Sequence, residues 1–189
     1  MSNLSDFRQL NDSELVRLTL LDRDNFLYIV ERYRNQLLRY IKRITNVRPE
    51  EAEDLLQDIF IKIYLNLNDF DGDLKFSSWI YRIAHNQVIS NFRKIKARPE
   101  GHAINLEDAV SSRLLSDIDI NRTVDQSLLK KKMAQVFSSI SPKYKEVLVL
   151  RFFEEQSYQE ISDIIKKPVG TVASLINQAK KELKTLLVE

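Results

Sequence analysis

One stretch of the sequence, residues 74–98, combines side chains that suit the binding of unpaired nucleic acid. It reads LKFSSWIYRIAHNQVISNFRKIKAR and holds the only tryptophan, several other aromatics and six basic residues, but no Asp or Glu. Basic groups attract phosphates, aromatic rings stack on exposed bases, and amides hydrogen bond to base edges. These residue types therefore indicate a surface for a separated DNA or RNA strand.

Helical spacing divides this stretch into two faces. The predicted core stripe consists of Phe76, Trp79, Ile80, Ile83, Ala84 and Val88. The opposite face carries Tyr81, Arg82, His85, Asn86, Ile89, Phe92 and Arg93. Two interpretations of the opposite face stay open. It binds nucleic acid, or a second helix packs on it while the arginines extend around that helix.

A second candidate surface lies in AEDLLQDIFIKIYLNL, residues 52–67. Its predicted inward stripe is Ala52, Leu55, Leu56, Ile59, Phe60 and Ile63. Its predicted outward side is Asp54, Gln57, Asp58, Ile61 and Leu65, at helical spacing. Exposed aliphatic side chains framed by carboxylates suit a partner helix. The alternative is an ordinary solvated face with two stray apolar residues, which is common.

A third candidate surface lies in SYQEISDIIKKPVGTVASLINQAKKELK, residues 157–184, which predicts a short helix, a tight turn and a longer helix. The predicted shared interior is Ile161, Ile164, Ile165, Val172, Ile176, Ala179 and Leu183. The longer helix directs outward Thr171, Ser174, Asn177, Gln178 and Lys181. Hydroxyls and amides followed by lysines favour a DNA-binding helix-turn-helix, in which the second helix enters the major groove. A plain helical hairpin is the alternative.

Catalytic and metal-binding patterns are missing from the sequence. His85 and His102 have no cysteine and no histidine partner at i, i+4 spacing, so no metal site is predicted. The three glycines are isolated and form no phosphate-binding loop. The acidic pairs Glu50–Glu51 and Glu154–Glu155 are interpreted as solvated charge. We therefore expect no enzyme and no cofactor.

The elements that position these surfaces are all predicted to be helices, because strand alternation and hairpin turns are absent. Helices are predicted near 12–21, 24–46, 50–67, 74–97, 127–139, 142–154, 158–166 and 170–187. Pro49 and Pro142 suit the first turn of a helix, and Ser157 with Glu160 predicts a capping box. The fold class is therefore all-α.

The polar stretch between Pro99 and Ser127 interrupts the helical pattern. It is rich in acids and has no sustained amphipathic face, which is typical of an extended or partly disordered linker. We therefore expect two small helical domains, at 1–98 and 127–189, joined by a flexible acidic linker at 99–126.

Composition narrows the cellular setting. The chain has 189 residues, a net charge of +2, 43% hydrophobic residues and no cysteine, so a disulfide framework is impossible. The N-terminus lacks the pattern of a signal peptide, and no apolar run approaches the ~18 residues of a membrane span. The sequence predicts a cytoplasmic protein without membrane insertion.

Three segments, in this order, resemble one protein family. They are AEDLLQDIF at 52–60, FSSWIYRIAHNQVISNFRK at 76–94, and SPKYKEVLVLRFFEEQSYQEISDII followed by GTVASLINQAKKELK at 141–184. The chain resembles the sigma-70 family of bacterial transcription initiation factors, specifically its extracytoplasmic function group. With a weaker match from Glu14 to Ile44, the resemblance covers nearly the whole chain outside the linker.

The resemblance implies an alternative sigma factor that binds core RNA polymerase and directs it to promoter DNA. The expected polymerase contacts are Asp54, Gln57, Asp58 and Ile61. The expected contacts with the opened minus-ten element are Phe70, Asp71, Tyr81, Arg82, His85, Asn86 and Arg93, with the loop Asn68 to Lys75 as the specificity loop. The expected minus-thirty-five contacts are Lys166, Lys167, Thr171, Ser174, Asn177, Gln178 and Lys181. The polymerase itself performs the chemistry.

This chain departs from the family pattern at the front of the recognition helix. The family usually continues Gly-Thr-Val with Lys-Ser-Arg and another arginine one turn later, whereas this sequence has Ala173, Ser174, Leu175 and then Gln178. Fewer cations there predict a weaker grip on phosphate and a different base preference. Ser90 similarly stands where the family has a common Asp.

The resemblance also implies partners outside this chain. Most family members are held by an anti-sigma factor, so such a partner is expected. The acidic linker is expected to thread the RNA exit path. One alternative function is a stand-alone helix-turn-helix transcriptional regulator. Another is a sigma-like decoy, against which the basic stretch at 74–98 argues.

Overall fold

A computed structural model describes residues 7, 9–45, 47–95, 136–137 and 139–188 of the chain, with the backbone alone for 92–95 and 188. The helices that it describes as full elements are α1 Asp12–Leu21, α2 Phe26–Ile44, α3 Pro49–Asn66, α4 Phe76–Ile95, α5 Pro142–Leu148, α6 Tyr158–Ile165 and α7 Val169–Val188. Within the described ranges there is no strand, which confirms the all-α fold class.

The helix boundaries follow local sequence signals. Pro49 and Pro142 open α3 and α5, where a missing N–H leaves no hydrogen bond unmade. Ser157 and Glu160 form the predicted capping box at the start of α6. Asn11 and Glu14 form a second capping box at α1, which was not predicted. Each box satisfies backbone N–H groups that the first helical turn leaves without partners.

The described part of the chain falls into two compact units. One contains α1, α3, α4 and most of α2, and the other contains α5, α7 and most of α6. The predicted linker at 99–126 lies outside the described residues. Of the predicted helix at 127–139, residues 136, 137 and 139 are described, and all three are helical.

The first unit buries one stripe of each long helix. The predicted inward stripe of α3 is buried throughout. Asp12 also joins α1 to α2, because one carboxylate oxygen accepts from Arg32 at 2.8 Å and the other from the Tyr33 hydroxyl at 2.6 Å. Burial, followed by that hydrogen bond to Asp12, raises the pKa of the Tyr33 phenol above its usual range. This network fixes the register of the two helices without presenting a reactive group.

In the second unit, α5 does not continue as a regular helix to residue 154 as predicted. It ends at Leu148 and passes into a π-helical turn, Val149–Phe153, closed by a hydrogen bond from the Glu154 amide to the Val149 carbonyl at 3.0 Å. A π-helical turn has wider i→i+5 hydrogen bonds than an α-helix and is rare, so the 3.6-residue spacing of the sequence does not predict it. Glu155 then takes a positive φ of 55°, which redirects the chain toward α6.

Candidate nucleic-acid and protein interfaces

The outward face of α3 is a row of carboxylate, amide and aliphatic side chains. The exposed members are Asp54, Gln57, Asp58, Ile61 and Leu65, as the helical spacing predicted. Ile61 and Leu65 are 56% and 68% exposed, and the two lie one helical turn apart on the same face. No part of the first unit that the structure describes covers them, so among these residues the face is open to a protein partner.

A hydrogen-bonded bridge joins this face to α4. The Gln87 side-chain amide donates to the Asp58 carboxylate at 3.0 Å, and its oxygen accepts from the Lys62 ammonium. One glutamine thus orients a carboxylate and an ammonium on the neighbouring helix. Gln87 is not among the predicted site residues, because its role depends on how α3 and α4 pack and not on the pattern of either helix.

The loop before α4 is built on an aromatic cluster. The Phe70 ring lies 5.1 Å from the ring of Phe76 and 5.6 Å from that of Trp79, measured between centroids. Asp71 accepts from the Asp73 amide at 3.0 Å, and Gly72 has a φ of 83°, which favours glycine. The Asp71 side chain is exposed. The Phe70 side chain is half-buried, because its ring packs on those of Phe76 and Trp79.

The predicted outward face of α4 is only partly exposed. Asn86 is exposed, and Arg82 and His85 are partly exposed. Tyr81 is 2% exposed, and its ring lies edge-on to the Tyr40 ring at 5.2 Å, so the prediction that it faces outward is wrong. Tyr81 lies three residues before the buried Ala84, and α2 covers that side of the helix. The side chain of Arg93 lies outside the described residues.

The turn between α6 and α7 is short and internally hydrogen bonded. Lys166 ends α6 in the left-handed conformation, with φ and ψ of 52° and 50°. The Ser162 hydroxyl donates to the Lys167 carbonyl at 2.6 Å, and the Pro168 carbonyl accepts from the Thr171 amide at 2.8 Å. These bonds hold the start of α7 in place and leave the side chains of Lys166 and Lys167 exposed.

The outward face of α7 has the chemistry of a DNA-reading helix. Every predicted minus-thirty-five residue is exposed, namely Lys166, Lys167, Thr171, Ser174, Asn177, Gln178 and Lys181. Every predicted interior residue of the helix pair is buried. Hydroxyl and amide groups therefore come first along the helix and an exposed lysine follows, an order that suits base contacts and then phosphate contacts.

Tyr144 of α5 approaches this face from the side. Its hydroxyl donates to the Gln178 side-chain oxygen at 2.9 Å, and the Lys143 ammonium lies 4.6 Å from the centre of its ring. Tyr144 is not among the predicted site residues and lies 34 residues away from its partner in the chain. The contact requires α5 and α7 to pack together, and the sequence pattern of α7 carries no sign of it.

The described part of the chain shows neither a metal-binding cluster nor a helix suited to a membrane. No group of three or more His, Cys, Asp and Glu side chains there is placed to hold a metal ion. None of the described helices combines the length and the apolar character needed to cross a bilayer.

Comparison with family models gives two matches in the order of the two units. The Sigma-70 region 2 model matches residues 29–98, and the model for Sigma-70, region 4 matches residues 130–183. The first range contains α3 and α4, and the second contains α5 and α6 and most of α7. All three candidate surfaces therefore fall within matched regions.

Curated relatives match over most of their length. The ECF RNA polymerase sigma factor SigW of Bacillus subtilis is 32% identical over 179 residues, covering 88% of this chain and 90% of its own. The ECF RNA polymerase sigma-E factor of Escherichia coli K12 is 31% identical over 183 residues, covering 93% of both chains.

Solved structures share the fold. CnrH, in a complex with the cytosolic domain of CnrY, aligns with a TM-score of 0.66 at 21% identity over 93% of this chain and 96% of that chain. The sigma factor RpoE from Bartonella quintana, in a complex with the anti-sigma factor NepR, aligns with a TM-score of 0.62 at 19% identity over 86% of this chain and 96% of that chain. At these identities the likeness concerns the fold alone.

Sequence relationship and structure thus lead to one assignment. The two family models match in the family order, and relatives above 30% identity align along nearly the whole chain. The chain therefore belongs to the extracytoplasmic function group of the sigma-70 family and is an alternative sigma factor, a non-enzymatic protein of transcription initiation.

Proposed function

We propose that this chain binds core RNA polymerase through the outward face of α3 and reads promoter DNA with α4 and α7. The observation that carries the proposal is the presence of two exposed faces with opposite chemistry in one chain. The α3 face combines Asp54 and Asp58 with Ile61, whereas the α7 face combines amides and lysines. The first suits a protein partner and the second suits DNA.

The polymerase interface would centre on Ile61, with Leu65 at its border. Exposed aliphatic side chains supply apolar area to a contact, and the surrounding carboxylates supply orientation and selectivity. Because Gln87, itself held by Lys62, donates to Asp58, little conformational freedom is lost when a cationic partner binds that carboxylate.

The minus-ten contacts would come from Asp71 in the loop and from Arg82, His85 and Asn86 on α4. Asn86 is the exposed amide among them, and amides recognise unpaired bases by hydrogen bonding to their edges. Tyr81 is left out of the proposed contacts, because a ring buried against Tyr40 has no free face for stacking. The aromatic cluster of Phe70, Phe76 and Trp79 would instead support the loop from behind.

The minus-thirty-five contacts would come from α7, with Thr171, Ser174, Asn177 and Gln178 toward base edges. Lys166, Lys167 and Lys181 would bind phosphates at the two ends of the contact. The exposed part of this face carries no carboxylate between Lys166 and Lys181. A face of that kind approaches the phosphate backbone without like-charge repulsion.

An anti-sigma factor is the second proposed protein partner. The related fold of RpoE was solved in a complex with the anti-sigma factor NepR, which supports the proposal of such a partner here. The proposed place of action is the cytoplasm, where core polymerase and promoter DNA are found. No predicted site in this chain requires a metal or a cofactor.

Titration of the purified protein into bacterial core RNA polymerase, followed by size exclusion, tests the proposal. We expect stoichiometric co-migration and displacement by an excess of another sigma factor. The assembled holoenzyme should then select specific promoters from a genomic DNA library. Protein that stays free of polymerase yet binds duplex DNA unaided would favour the stand-alone regulator and overturn the proposal.

A further inference from the structure

The amide of Gln178 is held from outside the recognition helix. The Tyr144 hydroxyl of α5 donates to the Gln178 side-chain oxygen at 2.9 Å, while Gln178 itself is exposed on the α7 face. A glutamine side chain otherwise rotates freely and presents either its oxygen or its NH2 group. The hydrogen bond favours one of these two orientations.

The direction of this hydrogen bond sets the direction of the amide. The Tyr144 O–H donates and the Gln178 oxygen accepts. The NH2 group then lies at the other end of the planar amide, with two N–H donors to offer. The helix thus presents donors where an unrestrained glutamine would present either polarity.

Tyr144 has the properties of a stable support. A tyrosine side chain has two rotatable bonds and therefore loses little freedom when it is fixed. The ammonium of Lys143 lies 4.6 Å from its ring centre, within the range of a cation–π contact. Tyr144 also belongs to α5, which packs directly on α7.

We propose that Tyr144 is a positioning residue that sets the base preference of Gln178. In this orientation Gln178 donates to a base edge that offers acceptors, namely guanine N7 and O6 or thymine O4. Paired recognition of adenine needs a donor and an acceptor from the same amide, whereas Tyr144 occupies one of the two lone pairs of the Gln178 oxygen and turns that oxygen toward α5. Adenine is therefore disfavoured at the base pair that Gln178 meets.

The composition of α7 explains why such a support matters in this chain. Ala173 and Leu175 occupy the first turns of the helix, so no arginine there provides a rigid two-pronged contact with guanine. Ser174 donates its own hydroxyl to the Gly170 carbonyl at 3.0 Å. On the outward face of α7, the amide of Gln178 would therefore owe its base selectivity to Tyr144.

This inference rests on the proposed function of α7, and one experiment separates the two. Holoenzyme is assembled from core polymerase and the full chain, then incubated with duplex DNA that is randomised across the minus-thirty-five region. Bound DNA is sequenced for the wild type, Tyr144→Phe, Gln178→Ala and the double variant. Tyr158→Phe is the matched control, since it removes an equivalent hydroxyl from α6 of the same unit.

The wild type is expected to enrich guanine or thymine over adenine at one or two adjacent base pairs. Tyr144→Phe should lower that preference about tenfold at those base pairs alone, given the discrimination of a good amide–base contact. Gln178→Ala should remove the preference, and Tyr144→Phe should then add nothing. Tyr158→Phe should keep the wild-type preference.

Three results would overturn the inference while leaving the proposed function intact. They are an unchanged preference in Tyr144→Phe, an equal effect of that change in the Gln178→Ala background, and enrichment of adenine by the wild type at the Gln178 position. Failure of the wild-type holoenzyme to form or to enrich any sequence would overturn the proposed function and this inference together. Circular dichroism of each variant confirms that the fold is retained.

Discussion

The helices α3 and α7 bury similar stripes and expose different chemistry. Each is 18 to 20 residues long and packs one aliphatic side inward. Outward, α3 presents Asp54 and Asp58 with Ile61, whereas α7 presents Asn177 with Lys181. The buried stripe therefore determines how each helix packs in its unit, and the exposed stripe determines the kind of partner.

Because of their different charges, the α3 face and the α7 face suit different kinds of partner. A carboxylate near the phosphate backbone is repelled, so the α3 face is a poor surface for DNA. The α7 face has few large apolar side chains and therefore offers little area for a dry protein contact. Changes on one face should accordingly leave the binding activity of the other face intact.

Reversal of charge on the α3 face should give the largest effect. In the proposed interface, Asp54→Lys with Asp58→Lys places two cations where the partner would otherwise meet two carboxylates. Like charges across an interface cost several kcal/mol, so polymerase affinity should fall by about a thousandfold. Fluorescence anisotropy of the labelled protein with core polymerase measures the loss.

Glu31→Lys is the control for this reversal, because Glu31 is an exposed carboxylate on another helix of the same unit. It should leave polymerase affinity near the wild-type value. Circular dichroism should show equal helicity in all three proteins. Undiminished polymerase binding by the double variant would remove α3 from the proposed interface.

Two isoleucines of α3 separate stability from binding. Ile63 is 0% exposed and Ile61 is 56% exposed, so the same truncation acts on different properties. Ile63→Ala should lower the free energy of unfolding by about 3 kcal/mol through lost burial and a cavity. Ile61→Ala should change stability by less than about 0.5 kcal/mol but weaken polymerase binding by about 1 kcal/mol or more.

Urea unfolding followed by circular dichroism measures the stability of both variants, and anisotropy measures polymerase affinity. Equal stability losses would mean that Ile61 belongs to the core of the unit. Unchanged polymerase affinity for Ile61→Ala would mean that this side chain lies outside the interface.

The faces of α3 and α7 could be predicted from sequence because a single amphipathic helix separates its own residues by spacing. The exposed Gln57 and Asn177 and the buried Ile59 and Ile176 all follow from that rule. The proline starts and the capping box of α6 are equally local. Such features need no knowledge of neighbouring helices.

The residues that sequence analysis misplaced or missed depend on contacts between helices. Tyr81 is buried because the Tyr40 ring of α2 covers it, which a projection of α4 alone does not reveal. Gln87 and Tyr144 act through partners 29 and 34 residues away. The π turn at the end of α5 likewise departs from the regular spacing on which the prediction relied.

Truncation of an amide side chain on α7 should weaken DNA binding and leave the affinity for polymerase unchanged. Asn177→Ala removes an exposed amide from α7 and should cost about 2 kcal/mol of promoter affinity if the amide makes a good base contact. Polymerase affinity should stay at the wild-type value, since α3 is unchanged. Holoenzyme binding to a selected promoter duplex, measured by electrophoretic mobility shift, checks both statements. Unchanged promoter affinity would mean that Asn177 faces solvent in the complex.

Removal of a phosphate contact should give the smallest effect and a different signature. Lys181→Ala should weaken holoenzyme binding about fivefold near physiological salt, almost equally for all sequences. The slope of log affinity against log salt should fall in magnitude by about one, because one fewer counterion is released.

Lys62→Ala is the matched control for this signature, since Lys62 is an exposed lysine on α3. It should leave the salt slope of DNA binding unchanged, although it removes a partner of Gln87. If both substitutions lowered the slope equally, the α3 face would also lie along DNA, and the division of labour between the two helices would be wrong. A change in slope confined to Lys181→Ala would place the phosphate contact on α7. A general effect of lost positive charge would instead lower the slope in both Lys181→Ala and Lys62→Ala.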